Sequence, residues 1–138
     1  MYEIRPTVRR VLSSPAVQER VHKLEDAGII AGYHAKVNPK ALGLSILAIT
    51  RLVNVASDIK DYLAETAQAR PEVLQCYQVT GQDEFILHIV VESMEHLRDV
   101  LRLFSPHAQL ITSIVINTPV ANRIISFENL PNIQENNL

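Results

Sequence analysis

Four side chains that can donate hydrogen bonds to phosphate oxygens or base edges, Gln18, Arg20, His22 and Lys23, lie close together in the first fifth of the chain. That grouping suits contact with a nucleic acid. A second polar group, Thr80-Gly81-Gln82-Asp83, interrupts two apolar runs. Glycine tolerates positive φ, so from its residues alone this stretch reads as a hairpin turn. Elsewhere the residues capable of chemistry do not assemble. His22, His34, His88, His96 and His107 are scattered, and Cys76 is alone. No pair has helical metal-ligand spacing, so neither a metal site nor a cofactor is expected. Asp83 and Glu84 are adjacent, but neighbours on a strand point to opposite faces and would not share a proton. There is no phosphate-cradling glycine loop and no nucleophile elbow. The chain is not expected to be an enzyme.

The donor-rich stretch must be carried by a helix. Ser13 and Ser14 are capping types, and Pro15 suits the first helical position, where no amide proton is needed. Val17, Val21, Leu24 and Ala27 recur at helical spacing, and Gly28 suits a left-handed cap with Ile29 or Ile30 packing back. A capped helix, docked on one face and basic on the other, fits a major groove. The same spacing also fits a solvated amphipathic helix. After it, Tyr33, Ala35 and Val37 alternate with His34 and Lys36, which is strand periodicity. Turn, helix and short basic strand form the back half of a winged helix-turn-helix. Residues 5–12 suit a preceding helix, with Pro6 near its start. Only Met1 to Val11 precede the turn, so the motif reads as shortened, without a first helix.

Charge supports this division weakly. Residues 1–43 hold seven basic and four acidic residues, whereas 44–138 hold six basic and eleven acidic, for a net charge of −2. A basic head on an acidic body suits nucleic-acid contact at one end. No apolar run approaches the roughly 20 residues needed to span a bilayer. No signal-peptide core follows Met1, and the expected location is the cytoplasm, with no membrane partner. Cys76 sits in an apolar run and reads as a small buried hydrophobe.

Residues 1–38 therefore form a partial winged helix-turn-helix segment, and 39–43, with Pro39 and Gly43, a linker. Residues 44–138 form the second domain. Strands are expected over 44–55, 73–79, 85–91 and 110–120. One helix is capped by Ser57 and turns Ile59, Tyr62, Leu63, Thr66 and Ala67 to one face, with Pro71 closing it. Another is capped by Ser93, turns Met94, Leu97, Val100, Leu101 and Phe104 inward, and ends at Pro106. The order β-α-β-β-α-β is ferredoxin-like, so the fold class is α+β. Ile49, Val53, Leu87, Ile89, Val91, Ile114 and Ile116 cannot all lie under two helices, and sheet-to-sheet dimerisation would cover the remainder. Phe127, Leu130 and Ile133 in the tail suit an added edge strand or a clasp on a partner subunit.

Three segments resemble one known family. Residues 14–33, from Ser14-Pro15-Ala16-Val17 to Ala27-Gly28-Ile29-Ile30-Ala31-Gly32-Tyr33, are similar to the recognition helix and exit strand of the Lrp/AsnC (feast/famine) transcription regulators. Residues 71–85, containing Val79-Thr80-Gly81-Gln82-Asp83-Glu84-Phe85, resemble its effector-domain strand and ligand loop. Thr112-Ser113-Ile114-Val115 resembles its last strand. The three occur in the family's order. The resemblance implies a regulator of double-stranded DNA, with Ser13, Ser14, Gln18, Arg20, His22 and Lys23 as DNA-contacting residues. It also implies an amino-acid effector held between dimers by Thr80, Gly81, Gln82 and Asp83. There the Gly81 and Gln82 amides would meet the carboxylate and Asp83 the ammonium, while Thr112 and Ser113 face the same pocket. Homodimers would assemble into tetramers or octamers. A different class of function is an effector-binding modulator subunit that acts through full-length relatives.

Overall fold

The computed structural model describes residues 14–125 and residue 131. Ser13, the expected helix over residues 5–12, and the tail residues Phe127, Leu130 and Ile133 lie outside the described residues. Helix α1 spans Ser14–Asp26. Its end is the capped one expected: Gly28 has φ +72°, and the amides of Ile29 and Ile30 both donate to the Leu24 carbonyl at 2.9 and 3.1 Å. Residues 31–38 form no strand. Their alternation is real, but a strand needs a neighbour's hydrogen bonds, and no described residue offers them. What ties this segment to α1 is the Tyr33 hydroxyl, which donates to Glu25 Oε1 at 2.9 Å.

The described residues cluster into two compact units. One contains α1 and the chain up to Val37, together with residues 122–125; the other is Asn38–Ala121. The second unit opens on a 3-10 turn, Pro39–Leu42, fixed at both ends. The Asn38 side chain accepts from the Lys40 amide, and Gly43 closes the turn at φ +80°.

Beyond it come β1 (Ile46–Val53), α2 (Lys60–Gln68), β2 (Val73–Gln78), β3 (Asp83–Val91), α3 (Met94–Leu101) and β4 (Gln109–Ile114). The strands form one antiparallel sheet in the order β2-β3-β1-β4. This is the expected βαββαβ topology of an α+β fold.

Several boundaries differ from expectation. Ser57 does not cap α2. It begins a separate 3-10 turn, Ser57–Ile59, whose N-terminal neighbour Ala56 makes no side-chain cap bond. Ser93 does cap α3, accepting from the His96 amide at 3.0 Å. Regular α3 stops at Leu101, and Phe104 reaches the core from the following turns. Met94 and Tyr62, expected inward, are half exposed. β1 ends earlier than expected because Asn54, at φ +55°, turns the chain out of the ladder. β4 ends at Ile114 rather than near residue 120. Its partner β1 begins at Ile46, so after the Val115 amide bonds the Leu47 carbonyl no rung remains, and Ile116 is left in solvent.

The strand registers separate the two faces. Ala48, Leu52, Phe85, Leu87, Ile89 and Val91 pack with Leu63, Ala67, Leu97, Val100 and Phe104 of the helical layer. Each such side chain contributes about 1.5–3 kcal/mol by leaving water. Thr50 is the one buried polar residue described, and its Oγ1 lies 3.0 Å from Oγ1 of Thr112 across the β1–β4 pair. Leu87, Ile89, Val91 and Ile114 therefore do share the helix-side face. The opposite face is apolar through other residues: Leu47, Ile49, Val53, Ile86, Val90 and Ile111. Tyr77 and His88 add an edge-on ring contact with centroids 5.5 Å apart.

Candidate functional site

Helix α1 presents its donors without gathering them. Ser14, Gln18, Arg20, His22 and Lys23 are all exposed, while Val17, Val21 and Leu24 are half-buried. A helix turns about 100° per residue, so Ser14, Gln18 and His22 form one strip, with Arg20 about 160° from His22. Lys23 already has an exposed partner, Glu19 Oε1 at 3.5 Å. Exposed pairs of this kind contribute little to stability, so Lys23 remains available to a phosphate.

The polar turn is built differently. The Val79 amide donates to the Glu84 carbonyl at 3.1 Å, closing the β2–β3 hairpin around residues 80–83. Gly81 stands at φ +104°, a conformation side chains disfavour, and a Cβ there would meet nothing within 4 Å. The β1–β3 register slips between Leu52 and Val53, a bulge beside the turn. This bulge helps send Asp83 and Glu84 to different partners. Glu84 pairs with Lys60 at 2.8 Å and accepts from Gln78. These bonds, Lys60's foremost, hold its carboxyl below the usual range.

Asp83 is engaged by Arg51. Nε donates to Oδ1 and Oδ2 at 3.1 and 3.0 Å, and Nη2 donates to Oδ1 at 3.0 Å. The bonds to Asp83 and its charge raise the guanidinium pKa further. Beside this pair lies a cleft of about 340 Å³ lined by Arg51, Val53, Asn54, Gln82, Gln109 and Ile111. The Asn54 amide nitrogen donates to Gln109 Oε1 at 2.9 Å. Arg51 Nη1, Asn54 Oδ1 and Gln109 Nε2 are left without a partner among the described residues.

Of the six residues expected at an effector site, the structure gathers two with this cleft, Gln82 on its wall and Asp83 behind Arg51. Thr80 and Gly81 are exposed on the turn. Thr112 and Ser113 part company, because consecutive strand residues face opposite ways. Thr112 joins Thr50 on the helix side, and Ser113 sits opposite Ile49 on the other face. Sequence reasoning missed Arg51, Asn54 and Gln109. Arg51 carried a usable signal, since it is the one charge in the apolar run 44–53 and so needed a partner.

A second ionic cluster binds the start of β2 to α3. Glu72 Oε1 accepts from Arg70 Nη2 at 2.8 Å and lies 3.1 Å from His96 Nε2. Burial opposes the charge on Glu72, but bonds from its own backbone, His96 and Arg70 prevail and hold its carboxyl below the usual range. Among the described residues no three histidines, cysteines or carboxylates are grouped to hold a metal ion. Cys76 is exposed on the edge strand β2, not the buried hydrophobe expected, and partial desolvation still pushes its thiol up, away from reactive thiolate. No described helix is long and apolar enough to cross a membrane.

Residues 51–125 match the Lrp/AsnC ligand binding domain. The chain is 32% identical over 117 residues to the HTH-type transcriptional regulator LrpA of Mycobacterium tuberculosis, covering 83% of this chain and 78% of that protein. It superposes on the structure of Bacillus subtilis LrpC with a TM-score of 0.76 at 31% identity, covering 88% and 86% of the two chains. A feast or famine regulatory protein from M. tuberculosis, complexed with L-methionine, superposes with a TM-score of 0.74 at 30% identity, covering 86% and 82%.

Proposed function

The chain belongs to the Lrp/AsnC family of transcription regulators, and from that premise we propose that it senses an α-amino acid beside the 80–83 turn and reports it to DNA through α1. The observation that carries the reading is the cleft under Gln82. There Gln82, next to Gly81 of the turn, meets the Arg51 side of the Arg51–Asp83 pair and three hydrogen-bonding atoms without a partner among the described residues. Such a place suits a small zwitterion. The similar M. tuberculosis protein bound to L-methionine supports the choice of ligand class. The second apolar sheet face, with Leu47, Ile49 and Ile86 partly exposed and Ile111 exposed, supports a homodimer, with further assembly into tetramers or octamers.

The mechanism is linkage. If the amino acid binds one assembly more tightly than another, it shifts the population between them and with it the spacing of the α1 helices on DNA. A thermal-shift screen of the twenty L-amino acids tests the sensing step, since a ligand that binds only the folded state raises the melting temperature. At least one amino acid should stabilise the protein; no stabilisation by any of them rejects the reading.

One observation favours a second reading. Helix α1 buries none of its residues, which suits a modulator subunit that joins full-length relatives and leaves DNA contact to them. Salt-dependent binding of promoter DNA by the purified chain would exclude that alternative.

A further inference from the structure

The Arg51–Asp83 pair has the charges of an amino-acid head group turned inside out: a cation and an anion held side by side at the edge of a cleft sized for a small molecule. We propose that an amino-acid effector binds by exchange with this ion pair, its carboxylate taken by Arg51 and its ammonium by Asp83. The inference rests on the amino-acid reading above and adds Arg51 as the carboxylate-holding residue.

Three features support the exchange. Arg51 and Asp83 side chains are 43% and 23% exposed, so water, and with it a small charged solute, reaches both partners of the pair. Arg51 uses only Nε and Nη2 on Asp83, which leaves Nη1 to begin contact with an incoming carboxylate before the internal bonds break. Gln109 Nε2 and Asn54 Oδ1 stand in the same cleft, a donor for the carboxylate and an acceptor for the ammonium during the exchange. The exchange conserves charge. One internal pair becomes two intermolecular ones, and no ion is left buried without a partner. It also explains how Asp83 can serve an ammonium while paired in the unliganded protein.

The test is calorimetric titration of the parent chain, Arg51→Gln and Asp83→Asn. The probes are L-methionine and every other amino acid that stabilises the parent, each with its α-carboxamide and its N-acetyl derivative. In the parent, removing either charge should weaken binding about tenfold or more. In Arg51→Gln the acid and its carboxamide should bind within about threefold of each other, while the N-acetyl penalty persists. In Asp83→Asn the pattern should reverse. If Arg51→Gln keeps the parent's full preference for acid over carboxamide, the exchange is wrong and the carboxylate is held elsewhere, with amino-acid sensing intact. If no amino acid binds the parent, both the sensing reading and the exchange fall. Should Arg51→Gln not fold, the parent decides: the ¹⁵N resonance of Arg51 Nε must move on saturation with the ligand, and an unmoved resonance overturns the exchange.

Discussion

Helix α1 and the sheet unit are held by different means. α1 buries none of its 13 residues and is defined by its ends and its spacing. All 13 buried hydrophobic residues described lie in Asn38–Ala121, so the cooperative stability resides there. The part expected to read DNA is thus specified by local signals, while the part expected to read a ligand is specified by a shared core. A cheap, exposed helix tolerates change in its contact residues. A packed sheet can hold a cleft at fixed geometry.

The comparison can be broken most forcefully in the core. Phe104→Ala should cost about 3–5 kcal/mol in urea unfolding, since a large aromatic leaves a cavity among Leu97, Val100 and the sheet. Leu24→Ala on α1 should stay within about 1 kcal/mol. Similar costs for the two would show that α1 shares the core's cooperativity.

The Glu72 cluster sharpens the same contrast by pH. Its carboxyl is held below the usual range, so its contribution is present above about pH 4.5 and fades as the pH falls through the lowered folded value. Glu72→Gln should lose about 1.5–3 kcal/mol at neutral pH, with the difference from the parent shrinking in acid. A difference independent of pH would mean the carboxylate's charge is not what matters.

Gly81→Val comes next. The Cβ has room, so only the backbone at φ +104° resists, at about 1–3 kcal/mol. Thermal unfolding measures it, and an unchanged melting temperature would show that the turn relaxes freely. The smallest effect belongs to α1: Lys23→Ala should leave folding alone and lower the salt slope of DNA binding by about 1. An unchanged slope would remove Lys23 from the phosphate contacts.

The same division explains what the sequence discloses. Gly28 and Ser93 act within a few residues of themselves, so their caps were legible, as was the turn at Gly43. The βαββαβ order followed from periodicity together with the breaks at Pro71, Pro106 and the 80–83 turn. What escaped depends on partners distant in the chain. β4 stops where β1 runs out, the strand expected after α1 finds no described neighbour, and the slip at Leu52/Val53 directs Asp83 and Glu84 to different cations. At the candidate site Gln82 and Asp83 were visible as turn residues, but Asn54 and Gln109 meet across 55 positions and no local pattern announces them. Thr112 and Ser113 were grouped by resemblance, and the two-residue period of the strand divides them.

The linkage between cleft and assembly is tested most directly by sedimentation velocity of the parent chain, with and without a saturating amino acid that stabilises it. Sheet-to-sheet pairing and linkage predict no free monomer at micromolar concentration and a ligand-dependent shift between dimer and higher assemblies. The Asp83→Asn variant should not show that shift. A bound amino acid that leaves the distribution of assemblies unchanged would contradict the linkage.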